Sequence, residues 1–73
     1  MLMYLASVGG YNEETHTYAF KWEQSFLTTD EAQKWANDFI QLVKNERYNR
    51  EKRLNKKLTP IVFHISIREY HND

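Results

Sequence analysis

The residues of this chain that could ligate a metal or move a proton are the histidines His16, His64 and His71 and the carboxylates Glu23 and Glu69. Their spacing suits neither task. Hydrophobic patterning places His16 and His64 on the two edges of a sheet, about 9.5 Å apart across two inter-strand spacings, too far to share an ion. A Glu–His pair can be drawn on paper, but no spacing that an acid–base mechanism requires is present. The absence of cysteine removes thiolate zinc sites, a thiol nucleophile and disulfides together. The two glycines, Gly9 and Gly10, are adjacent, which is no Gly-rich phosphate cradle. The expectation is a protein with no catalytic residues, no metal and no cofactor, and not an enzyme.

Charge is more informative. Ten Lys and Arg balance ten Asp and Glu over the 73 residues, yet the two signs are segregated. Residues 1–43 carry Lys21 and Lys34 against Glu13, Glu14, Glu23, Asp30, Glu31 and Asp38. Residues 44–57 carry Lys44, Arg47, Arg50, Lys52, Arg53, Lys56 and Lys57 against only Glu46 and Glu51. Such a segment, with Tyr48 and Leu54 interleaved, has the composition of a phosphate-tracking surface. It is equally the composition of a solvated helix end, where the helix dipole favours cations.

These residues must be positioned by few elements. The stretch 2–8 is almost wholly apolar and reads as a buried strand, with Gly9 and Gly10 supplying the positive φ of a reversal near Tyr11 to Glu14. Residues 15–23 alternate, with Tyr18, Phe20 and Trp22 on one side and Lys21 and Glu23 on the other, as in a half-buried strand. Thr28-Thr29-Asp30-Glu31 has the form of a capping box. From it, Ala32, Trp35, Ala36, Phe39, Ile40 and Val43 recur at helical spacing, giving a helix over about 29–48 followed by a basic loop at 49–58. Residues 60–69 alternate again, with Ile61, Phe63, Ile65 and Ile67 on one side, and Tyr70 to Asp73 are expected as a tail.

The fold class is therefore α+β: one ββαβ domain over residues 1–73, with a three-stranded sheet of antiparallel type in the order 2-1-3 and one long helix across one face. Trp35 and Phe39 should bury against Phe63 and Ile65. A single helix covers one side of a three-stranded sheet, so the other side stays uncovered. Depending on which side of strand one points outward, either Leu5 or Tyr4 is exposed there. The reading with Met3 and Leu5 outward gathers Met3, Leu5, Lys21, His64, Arg68 and Tyr70, an apolar patch with a polar rim of the kind that marks a protein contact.

In size and pattern, as a lone small Asn- and Lys-rich domain with no evident chemistry and one adhesive face, the chain resembles small phage-encoded inhibitors of the anti-CRISPR and host-takeover type. The resemblance implies a protein-binding inhibitor or modulator that occludes a larger partner. The partner is then a protein target or a second copy of the chain in a homodimer. The alternative is a small non-specific nucleic-acid-binding protein using segment 44–57. No apolar run reaches the roughly 20 residues of a membrane span, and the cysteine-free composition suits a cytoplasmic location.

Overall fold

The computed structural model describes residues 1–72. Its elements are β1 (Leu2–Asn12), β2 (Thr17–Phe26), α1 (Thr29–Leu54) and β3 (Val62–His71). The sheet order is β2-β1-β3, with both edge strands antiparallel to β1. This is the α+β architecture and strand order expected from the sequence.

The reversal is not where the glycines suggested. Gly9 and Gly10 lie inside β1, paired on both sides, and neither has a positive φ. The chain turns at residues 13–16 instead. There the Asn12 Oδ1 accepts hydrogen bonds from the Glu14 and Thr15 amides, and His16 takes the left-handed conformation at φ 56°.

The glycines answer a packing demand. On the helix side of the sheet Gly10 pairs with Phe20 and Phe63, and these two rings lean across it to a centroid separation of 6.0 Å. A Cβ on Gly10 would fall 2.3 Å from the Phe20 ring and 2.8 Å from Ile61 Cγ2. On the opposite side the Tyr18 ring lies over Gly9, 3.0 Å from where its Cβ would sit.

A second departure follows from a bulge. The β1–β2 register slips between Gly10 and Tyr11, so Phe20 pairs with Gly10 and Tyr18 with Tyr11, leaving Ala19 over. Tyr18 thereby moves to the face away from the helix, and strict alternation, which had grouped it with Phe20 and Trp22, fails at that point.

The helix begins where the capping residues indicate. The Thr28 hydroxyl accepts from the Glu31 amide at 3.1 Å and donates to the Glu31 carboxylate at 2.9 Å. It seats on β1 through small residues: Ala6, Val8, Ala32 and Ala36 are the fully buried core. Large side chains surround this seam. Phe39 stacks with Trp22, Phe20 and Trp35, and Trp35 meets Phe26. The expected burial of Trp35 and Phe39 against Phe63 and Ile65 is thus corrected. Both belong to a cluster on the β2 side, Phe20 bridges from it to Phe63, and Ile65 stays 39 % exposed.

The helix also runs six residues beyond the expected end, so what reads as a basic loop at 49–58 is helix to Leu54 and loop only from Asn55. Past Val43 it needs no apolar stripe. Residues of high helix propensity and the Glu46–Arg50 pair sustain it, and Asn55 ends it in the left-handed conformation, with its amide and that of Lys56 returning to Glu51 and Lys52 carbonyls. The returning segment is tied down by Arg47, which donates to the Thr59 carbonyl, and by Glu51, which accepts from the Leu58 amide. Pro60 stays outside β3, consistent with its lack of an N–H for the ladder. Tyr70 and His71, expected in a tail, pair with Met3 and Leu2, and the Asn72 amide reaches the Met1 carbonyl at 2.8 Å. Asp73 lies outside the described residues.

Replacing Gly10 with Ala should destabilise the fold by about 1–3 kcal/mol, since the added methyl meets the Phe20 ring and the Ile61 side chain. Gly9→Ala should cost under about 1 kcal/mol, because the exposed Tyr18 ring can yield. Urea denaturation of the two variants measures both values, and equal costs would place the glycines in a common environment such as a turn.

Candidate functional site: the open sheet face

With α1 on one side, the other side of the sheet is covered by no element among the described residues. Register fixes what it shows. Met3, Leu5, Ser7, Gly9 and Tyr11 of β1 alternate away from the helix-facing Tyr4, Ala6, Val8 and Gly10. Beside them stand Lys21, Glu23 and Ser25 of β2 and Val62, His64, Ser66, Arg68 and Tyr70 of β3. All six residues read from the sequence as a binding patch, Met3, Leu5, Lys21, His64, Arg68 and Tyr70, therefore share this face. Leu5, not Tyr4, is the outward residue.

The face has a relief. Ser7 and Gly9 floor an open groove of about 380 Å³ walled by Tyr18, Lys21 and Glu23 on one side and His64, Ser66 and Arg68 on the other. One end is built by Tyr11, Tyr18 and His64, which meet edge to face at centroid distances of 5.2 and 6.4 Å. At the other end the Tyr70 hydroxyl shares a 2.7 Å hydrogen bond with the Ser25 hydroxyl and lies 3.8 Å from the Met3 sulfur. These contacts fix the aromatic side chains before any partner arrives, which lowers the entropy lost on binding. Tyr11 and Tyr18 were missed in the sequence because the bulge that exposes Tyr18 leaves no mark in an alternation pattern. The adjacent glycines were the available signal, since a strand glycine marks a bulge or a close approach.

No polar or charged side chain is buried among the described residues. Lys34 is held above the usual lysine range by its hydrogen bond from the ammonium to Asp38 and by that carboxylate's charge, but this is a fully solvated pair on the outer side of α1. No three His, Asp or Glu side chains converge among the described residues. His16 is in the hairpin turn, while His64 and His71 lie on opposite faces of β3.

The basic residues form a separate region. Lys44, Arg47, Arg50, Lys52 and Arg53 are on α1, and Lys56 and Lys57 are on the turn that follows it. Since α1 packs on the far side of the sheet, the structure does not bring them to the open face. No helix of the chain is long and apolar enough to cross a membrane among the described residues. Compared with known proteins, the chain matches no family model, no curated protein and no solved structure.

Replacing Tyr18 with Ala should cost about 1 kcal/mol, as expected for a residue 53 % exposed whose ring leans only on Tyr11, Gly9 and His64. A loss of 3 kcal/mol or more in chemical denaturation, the order seen for a core aromatic, would put Tyr18 back under the helix.

Proposed function

We propose that this chain is a binding protein that acts by occlusion, docking its open sheet face onto a larger protein as an inhibitor or modulator. The observation that carries the reading is the convergence, on one uncovered face, of side chains from all three strands that together make an interface. Tyr11, Tyr18, Tyr70, Met3 and Arg68 are of the types enriched at protein contacts, and Leu5 supplies an aliphatic centre. Lys21, His64 and Arg68 with Glu23 give the rim a mixed charge able to fix orientation. A domain of this size whose buried side chains are only Ala6, Val8, Ala32 and Ala36 among the described residues has little stability in reserve. Covering the face with a partner would add to it. The resemblance to small phage-encoded inhibitors suggests a host protein as the target, and a second copy of the chain is the alternative occupant.

Leu5→Glu should leave the fold intact while weakening target binding, or self-association, by about 2 kcal/mol or more. Joint replacement of Arg50, Lys52 and Arg53 should change mainly association rate and salt dependence. Co-purification from host lysate and sedimentation of the purified chain read both. Loss of binding in the helix variant with retention in Leu5→Glu would contradict docking through the sheet.

A further inference from the structure

We propose that the overhanging end of α1 is a second binding surface, independent of the open face, for the phosphate backbone of a nucleic acid. The chain is 49 Å along its longest axis, whereas strands of ten or eleven residues span only about 35 Å. α1 runs toward the hairpin end of the sheet: the Lys44 ammonium lies 5.6 Å over the ring of Phe63, which pairs with Gly10 near the end of β1, and the helix continues from there to Leu54, about 15 Å further. Onto it the sequence concentrates seven cations against two carboxylates in residues 44–57.

Each of the two carboxylates offsets one of the seven cations, and five positive charges remain over. Glu46 is taken by Arg50 at 2.6 Å, and Glu51 accepts from the Leu58 amide. Among the described residues Lys44, Arg47, Lys52, Arg53, Lys56 and Lys57 have no carboxylate within ion-pair distance. The helix dipole accounts for a fraction of this. It places roughly half a negative charge at the C-terminus, and Lys52 and Arg53 in the last turn already exceed that.

The arrangement is a spiral, in which Arg50 is paired with Glu46 and Arg47 donates to the Thr59 carbonyl. Lys44, Arg47, Arg50 and Arg53 recur every third residue, each about 4.5 Å further along the axis and turned by about 60°, so they wind around half of the helix. Asn55 then folds Lys56 and Lys57 back beside Lys52 and Tyr48, and these line one notch together with Glu51, three ammonium groups against one carboxylate. A spiral of cations on a rigid rod fits a linear polyanion better than a single carboxylate. Tyr48, 61 % exposed among them, carries the Lys52 ammonium 5.4 Å from its ring centroid, and a base stacking on this ring would lie beside that cation.

The test is fluorescence anisotropy of the full chain with a labelled oligonucleotide, single-stranded and duplex, as salt rises from about 50 to about 200 mM. With about five phosphates neutralised, log affinity for the single strand should fall with log salt at a slope near −3.5, a loss of roughly a hundredfold over that range. Arg53→Gln with Lys56→Gln and Lys57→Gln, at exposed positions, should flatten the slope by about 2 with an unchanged circular dichroism spectrum. Leu5→Glu should bind as the parent does. The proposal is overturned if neither oligonucleotide binds at the lowest salt, if the triple variant binds unchanged, or if Leu5→Glu alone abolishes binding. Capture of polyglutamate without either oligonucleotide would also overturn it, in favour of an acidic protein surface. Failure on any of these leaves docking through the sheet face untouched.

Discussion

The structure depends on how little side chain the middle of β1 carries. Gly10 lets Phe20 and Phe63 meet above the central strand on the helix side, and Gly9 makes room for the Tyr18 ring on the other. Ala6 beside them, with Ala32 and Ala36 on α1, allows the helix to approach the same strand closely. Aromatic rings from the edges therefore close over a thin centre. This is how so short a chain builds a core from rings that are individually only half-buried, and why its fully buried residues are small.

The same constraint sets the functional surfaces. Seating on small residues of β1 places α1 along the middle of one face and leaves the opposite face to Met3, Leu5, Tyr11, Tyr18, His64, Arg68 and Tyr70. The helix continues past its apolar stripe with only the returning segment against it, through Arg47 to the Thr59 carbonyl and Glu51 to the Leu58 amide, and so its charged end is largely exposed. One element thus divides the molecule into an open sheet face and a cationic rod on opposite sides.

Element order, strand order and six residues of the open face, Met3, Leu5, Lys21, His64, Arg68 and Tyr70, were legible in the sequence because each rests on a pattern that pairing preserves. Alternation in Phe63, Ile65 and Ile67 marks a face whatever the loops do, and the Thr28–Glu31 cap marks a helix start. What was not legible depends on tertiary geometry. The bulge at Ala19 turns Tyr18 outward without altering composition, and Gly9-Gly10 satisfies a steric requirement that exists only once Phe20, Phe63 and Tyr18 are in place. The helix end was misjudged because the apolar stripe stops at Val43, whereas the backbone is ended by Asn55, a residue less conspicuous than the glycine or proline usually sought.

The proton NMR environment of Gly10 tests this account most directly. Two rings closing over the central strand should shift its α protons strongly upfield and give nuclear Overhauser contacts to both Phe20 and Phe63, which lie on opposite edge strands. Random-coil shifts at Gly10 with no contact to either ring, as a mobile Gly-Gly turn would give, would contradict it.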